Sequence, residues 1–404
     1  MNNNDVVIVS AARTPFGRFG GSLKDFDLFD LGAIPMREVI SRVKISPDVV
    51  GEVFWGVGDT SQCKDVWTPV AARQTLLKAG LPAETPSIAF DKACVSAMSA
   101  VKLAAMSIKL GEIDAAIAGG CTIFSQEPLI VRGLRFSGFR LADIVLEDPL
   151  MHNGYKDFNL VSVDTDNVAA EYGIGREEQD EWALRSHINY GKAWNAAKFK
   201  DEMMVLTISQ PKGEPKILDI DEQYRPDSSL EKLSRLPTIF GTKTITAGNA
   251  PGLNDGATAI LEMRRSKAKE LGLECLATVV AQVSIAINPN RMPEGPAYAI
   301  EKVLKKADLT LDDVAVMEIN EAFASVPLVS IKMLAPNDNP KLKEIRDKTN
   351  INGSAIAVGH PNCASGARLI MNLMYELRRR GGGYALGALC GGLAQADATI
   401  IKVE

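Results

Sequence analysis

The second half of this chain repeats the first in outline, and that limits its possible folds more than any other feature. Residues 92–120 read KACVSAMSAVKLAAMSIKLGEIDAAIAGG, and residues 359–392 read GHPNCASGARLIMNLMYELRRRGGGYALGALCGG. Each gives a turn, a reactive side chain, a small-residue helix, an apolar strand and a glycine pair. Cys94 occupies the turn in the first copy and His360 in the second. A gene duplication is the favoured reading, although two unrelated βα units could match to this degree.

Around these segments, short β-branched runs alternate with helical patterns. Val6–Ser10, Ala115–Ala118, Thr278–Val283 and Ala398–Val403 read as buried strands. Ala97–Leu110, Ala297–Lys306 and Ser365–Arg380 read as helices. Strands separated by helices predict an α/β fold with largely parallel sheets. Residues 125–244 differ in texture, with charged and turn-rich stretches around one strongly charged helix at Arg176–Phe199. They read as an excursion from the first half, either an ordinary surface insertion or a cover for a site. No low-complexity linker divides the chain, so the halves are expected to pack together.

Composition narrows the function. A net charge of −5 gives no sign of a general nucleic-acid binder. The six cysteines, Cys63, Cys94, Cys121, Cys275, Cys363 and Cys390, form no C-x-x-C pair. Neither a disulfide framework nor a structural zinc site is expected, and a reducing compartment fits better. The first residues show neither a secretory nor a transit pattern, and IIKVE is not a peroxisomal signal. No apolar stretch approaches the roughly 20 residues that span a bilayer. The expectation is a cytosolic protein with no membrane partner.

Few side chains could do chemistry. Among three histidines, His187 sits mid-helix as a surface or packing residue, and His152 lies in a polar loop. His360 lies between Gly359 and Pro361, in an irregular turn of the kind that holds catalytic groups or merely shapes a loop. Cys94 stands at an apparent helix start, where free N–H groups and the dipole favour a thiolate. It could equally be a small buried hydrophobe. Cys390 ends an apolar run and precedes Gly391-Gly392, placing a thiol beside bare N–H groups that can hold an oxyanion; a core cysteine is the alternative. Asn320-Glu321 follows the strand-like VAVMEI and either projects into a site or caps a helix. The glycine-rich TAGNAPGLNDG at 246–256 matches neither a P-loop nor a dinucleotide fingerprint.

Taken in order, VIVSAARTPFGRFGGSL, KACVSAMSAV, AAIAGG, TAGNAPGLNDGA, INEAFA, NINGSAIAVGHPNCASGAR and LCGG resemble the thiolase family almost end to end. The resemblance implies a duplicated five-layered α-β-α-β-α fold with an inserted loop domain. Its halves would be residues 1–124, completed by 245–272, and 273–404, with the insertion at 125–244 covering the coenzyme A and substrate site. It implies a homodimer, often a dimer of dimers. The expected chemistry is coenzyme A-dependent cleavage of a 3-oxoacyl-CoA, or the reverse condensation, through an acyl-cysteine. Coenzyme A enters as co-substrate; no metal or permanently bound cofactor is required.

By the same resemblance, Cys94 is the nucleophile, activated by His360, and Cys390 is the acid and base. Asn320 would hold a water that, with His360, stabilises the thioester oxygen. The N–H groups of Cys94 and Gly392 would form a second oxyanion hole. Arg225, Ala247, Met292 and Phe323 would line coenzyme A or the acyl group. Two thiols are needed because an acylated nucleophile can no longer shuttle protons.

Several positions depart from the family pattern. Leu160-Val161 stand where many thiolases carry His-Met, and Pro251 replaces a serine that contacts pantetheine. Cys363 replaces a glycine, and CTIFSQEP lacks a usual Met-rich run. These lie on the acyl and pantetheine side and suggest a substrate other than acetoacetyl-CoA. Arg132, Arg135 and Arg140 could receive a substrate carboxylate, as in benzoylsuccinyl-CoA, or simply face solvent or a subunit. Ketoacyl and hydroxymethylglutaryl-CoA synthases share the fold but use other acid/base groups than Cys390. A non-catalytic or partner-dependent subunit, completed by a small accessory protein, is the reading from another class.

Overall fold

A computed structural model of the chain describes residues 2–64, 69–138, 141, 143–150, 155, 157–210 and 213–404. His152 and Arg140 lie outside the described residues. In the first half, β1 (Val6–Arg13) leads through α1 (Leu28–Val43), β2 (Glu52–Gly56), α2 (Ala71–Ala79) and β3 (Ser87–Phe90) to α3 (Ser96–Leu110) and β4 (Ala115–Ile123). The insertion carries α4 (Val161–Glu171) and α5 (Arg176–Asn195), and the chain returns as β5 (Asn254–Arg264). The second half follows with β6 (Ala277–Ala286), α6 (Gly295–Ala307), β7 (Val314–Ile319), α7 (Ser325–Leu334), α8 (Asn362–Arg380), β8 (Gly383–Gly391) and β9 (Gln395–Val403).

Strand pairing bears out the duplication. The strands join in one path, β7-β8-β9-β6-β1-β5-β4-β2-β3. Its two halves, β3-β2-β4-β5-β1 (the first sheet) and β7-β8-β9-β6 (the second), meet where β1 pairs with β6, Val7 opposite Thr278 and Ile8 opposite Ala277. In each, a central parallel pair (β2 with β4, β7 with β8) is followed by two antiparallel pairings. Even β3 has its counterpart: Thr349 bridges Met317 of β7 in parallel, as β3 pairs with β2. The expectation of largely parallel sheets is therefore corrected to mixed sheets. Only three residues separate β8 from β9, too few for the crossover that a parallel pair requires.

Three apolar cores define five layers. One lies between α1, α2 and the first sheet; another holds α6 and α7 against the second sheet. Between the sheets, α3 and α8 share a core with strands of both. Ala93–Leu110 is long and apolar enough to cross a membrane by composition, which the sequence reading overlooked. Here it belongs to that middle layer, with 56% of its residues buried inside the protein. The charged helix ends at Asn195 rather than Phe199.

One strand residue is out of place in this interior. Glu262 of β5 is fully buried, and neither carboxylate oxygen has a hydrogen-bond partner among the described residues. Burial pushes its carboxyl well above the usual range. An acid raised on folding stabilises the fold fully below its unfolded pKa of about 4.5, and that stabilisation is lost as pH rises towards the folded value. Glu262→Met should thus gain about 1–3 kcal/mol at pH 7, with the gain shrinking near pH 4.5. Thermal unfolding at the two pH values checks this; equal gains would place the effect in packing rather than ionisation.

Candidate active site

The glycines of the second half pack directly on the turn that carries Cys94. A Cβ on Gly391 would lie 3.0 Å from both methyls of Val95, and one on Gly392 would lie 3.1 Å from Ala93 Cβ. Residues nearly 300 positions apart in sequence thus form one wall. Gly56, on β2, leaves room for Ser96 at the start of α3, and Gly366 of α8 lets Met98 approach. The first turns of α3 and α8 therefore meet in the middle layer.

Cys94 sits in a 3-10 turn just ahead of α3. Ala93 before it has a left-handed φ of 49°, costly for a residue with a Cβ. The turn is pinned: Asp91 Oδ1 accepts from Ala93 N at 2.7 Å, and Ser96 Oγ accepts from Lys92 N at 2.8 Å. Below it, the Lys92 ammonium is paired to the buried Asp397 at 2.7 Å. Cys390 is fully buried on β8, and Leu393 and Ala394, beyond Gly392, are again left-handed. Strained backbone thus flanks both thiols.

His360 is anchored on two sides. Its N–H donates to Asn254 Oδ1 at 2.9 Å, and Nδ1 lies 2.7 Å from Ser365 Oγ. That hydroxyl donates to Pro361 O at 3.0 Å, so the network assigns the ring proton to Nδ1 and leaves Nε2 as the free base. Asn320 Nδ2 is 3.4 Å from Nε2 and 3.5 Å from Nδ1, beside the ring rather than in line with either nitrogen. Arg368 orients that amide, with Nη2 3.5 Å from Asn320 Oδ1. The same guanidinium is ion-paired to the buried Glu318. Cys363 joins the turns, its sulfur 3.7 Å from Ala93 O.

Burial dominates the electrostatics. The Cys94 thiol keeps some access to solvent, yet burial among its neighbours, reinforced by Cys390 and Cys363, pushes it well above its ordinary value. Cys390 is pushed up to about 12 by burial. His360 is pushed down to about 3 by burial and by Arg368. Desolvation thus outweighs the thiolate-favouring helix start expected from sequence. The site rests as neutral thiols beside a neutral imidazole.

The remaining positions divide. Met292 lines a narrow cavity with Tyr155, Phe158, Val161, Leu393 and Ala394. Phe323 is buried next to Ala324, whose N–H donates to Asn249 O at 2.9 Å. Arg225 and Ala247 are exposed, with no contact to the thiols. Leu160 and Pro251 are half-buried. Arg132 is exposed and paired to Glu147 at 2.8 Å, and Arg135 is exposed, so neither reaches the cavity. His187 is a buried packing residue whose Nδ1 accepts from Arg225 N at 3.3 Å.

Glu321 is neither catalytic nor a helix cap. Its carboxylate accepts from Trp182 and Ser186 of α5, from Asn350 and from Ile356 N, tying the insertion to the second half. Sequence reasoning gave no role to Arg368, Glu318, Asn254 or Tyr155. A charge inside each of the apolar runs VAVMEI and ARLIMNLM was the visible signal for the Glu318–Arg368 pair.

Comparison with known proteins shows the family. The family model for the thiolase N-terminal domain matches residues 6–266, and that for the thiolase C-terminal domain matches 273–403. The chain is 40% identical over 399 residues to an acetyl-CoA acetyltransferase of Cupriavidus necator, covering 97% of this chain and 98% of the relative. It is 38% identical over 401 residues to a probable acetyl-CoA acyltransferase of Staphylococcus aureus, covering 98% of each. The crystal structure of human mitochondrial 3-ketoacyl-CoA thiolase superposes with a TM-score of 0.93 at 36% identity over all of both chains. The same human enzyme in complex with CoA gives 0.92 at 36% identity, over 100% of this chain and 98% of that one. With two family models covering its halves and relatives matching it from end to end, this chain belongs to the thiolase family and is an acyltransferase.

Proposed function

We propose that the chain cleaves a bulky, branched or aromatic 3-oxoacyl-CoA by thiolysis, or runs the reverse condensation, with coenzyme A as co-substrate. The packing of Gly391 and Gly392 on the Cys94 turn supports the acyl-cysteine chemistry of this reading, because it brings the segment that follows Cys390 against the turn that carries Cys94. His360 Nε2 takes the Cys94 proton, and the sulfur adds to C3. The C2–C3 bond then breaks, leaving an acyl group on Cys94 and an enolate that Cys390 protonates at C2. Cys390, now a thiolate, takes the proton of coenzyme A, whose sulfur releases the acyl group. Asn320 and His360 stabilise the enolate oxygen, and the N–H groups of Cys94 and Gly392 stabilise the alkoxide.

The substrate class, of which benzoylsuccinyl-CoA is one example, follows from the altered positions Leu160, Val161 and Pro251, and Val161 borders the narrow cavity with Tyr155, Phe158, Met292 and Leu393. Arg225, Ala247 and Phe323 remain our candidates for contacts with coenzyme A. We place residues 125–244 over that site as an inserted domain, and the protein in the cytosol. Exposed apolar side chains in the insertion, Leu129, Leu134, Phe136, Leu141 and Val145, support coverage by another protein surface. A second copy in a dimer or tetramer is the first choice, and a small accessory subunit the second.

Thiolysis of acetoacetyl-CoA, a longer straight-chain substrate and a carboxylated aryl substrate tests the proposal, with Cys94→Ala as control. Preference for the aryl substrate is expected. Equal turnover of acetoacetyl-CoA with poor turnover of every aryl or carboxylated substrate would sink the substrate assignment. No cleavage by the folded homo-oligomer would favour the partner-dependent subunit.

A further inference from the structure

We propose that the Tyr155 hydroxyl is a third donor to the oxyanion at C3 of the substrate, beside Gly392; this rests on the acyl-cysteine reading above. Tyr155 lies in the insertion, outside both duplicated halves, yet its ring reaches the wall between the two thiols. A Cβ on Gly392 would lie 2.0 Å from its Oη and 3.1 Å from its Cζ. The phenol therefore sits on the face of Gly392 that glycine leaves open, beside Ala93 of the Cys94 turn.

Two further observations point the hydroxyl at a ligand. Among the described residues it donates to no protein acceptor, whereas Tyr172 of the insertion bonds Glu294 and Tyr190 bonds Asp221. The cavity it borders is lined by Phe158, Val161, Met292 and Leu393 together with Asn159 and Asp164, and those two polar side chains bond each other at 2.8 Å. Burial and the nearby Cys94, Asp91 and Cys390 push the phenol up to about 12, so it stays protonated and able to donate throughout the working range.

The chemistry asks for such a donor. When the Cys94 sulfur adds to C3, the carbonyl oxygen gains a full negative charge. It returns that charge to C2 when the carbon–carbon bond breaks and the acyl thioester forms. The tyrosine proton stays on its oxygen throughout; the hydroxyl only shortens its hydrogen bond as the charge grows. A donor placed this way acts on the transition state more than on bound substrate.

Tyr155→Phe removes the hydroxyl and keeps the ring. Thiolysis of the best substrate should fall about 10–100-fold in kcat with KM within about threefold. Single-turnover acylation of Cys94, followed by intact mass, should slow by the same factor. An unchanged thermal midpoint shows that the fold is intact. Acylation within about threefold of wild type would overturn the proposal. So would a change confined to KM or to substrate ranking, which marks a packing contact. An inactive wild type, or an active Cys94→Ala, would instead overturn the thiolase reading beneath it.

Discussion

Cys390→Ser should still be acylated at Cys94 by a reactive acyl donor, while carbon–carbon cleavage and condensation fall about 10²–10⁴-fold. The reasoning starts from the two thiols. Both are neutral at rest, since burial raises each above its ordinary value. Attack on C3 needs only Cys94 and a base, and His360 Nε2 remains free because Ser365 holds the proton on Nδ1. The leaving enolate needs a proton from a different group, because Cys94 is by then a thioester. Serine at 390 fits the same buried space, yet its hydroxyl is a far weaker acid and cannot supply that proton or strip coenzyme A efficiently. Cys94→Ala should lose both acylation and cleavage. Intact-mass detection of the acyl-enzyme, run beside the thiolysis assay, separates the two. Loss of acylation in Cys390→Ser would mean that the nucleophile is misassigned or the site has collapsed.

The duplication was legible because its marks are local: a turn, a small-residue helix, a strand and two glycines in the same order twice. Strand direction was not. In the second half the short β8–β9 turn gave it away, but in the first half residues 124–253 separate the equivalent strands, and apolar runs carry no direction. Cys94, His360, Asn320 and Cys390 were each ambiguous singly, because a helix start, a turn and a core strand end look alike with or without chemistry. Their ordered resemblance to one family made them a set. Asn254 stood inside the matched segment TAGNAPGLNDGA without a role of its own, and Tyr155 left no such trace. Asn254 acts on the backbone of His360 from 106 positions away, and Tyr155 stands in an insertion whose sequence signals only loop. At Cys94 the helix start is visible in sequence, whereas the burial that raises its thiol appears only on folding.

Arg13→Met should be the most destabilising single change in the fold, costing about 3–5 kcal/mol. Arg13 ends β1 in the segment AARTPFGR and is completely buried. Its Nε donates to Glu202 at 2.8 Å, and its other nitrogens hold Asp221 at 2.7 and 3.0 Å. The ring of Phe16 lies 5.1 Å away on the cationic face, and Tyr190 of α5 closes the cluster through Asp221 at 3.0 Å. Both carboxylates belong to the insertion, so one cation fastens that excursion to the first strand of the core. Methionine fills much of the volume and leaves two buried carboxylates without their cation. Their protonation offsets that loss, so the penalty should be largest at pH 7–8 and shrink as pH falls. Adding Asp221→Asn to Arg13→Met should recover part of the loss, since it removes one of the stranded charges. Urea unfolding of the three proteins at two pH values checks this. A penalty that is independent of pH and unrelieved by Asp221→Asn would assign the effect to packing against Phe16 and Phe199 rather than to charge.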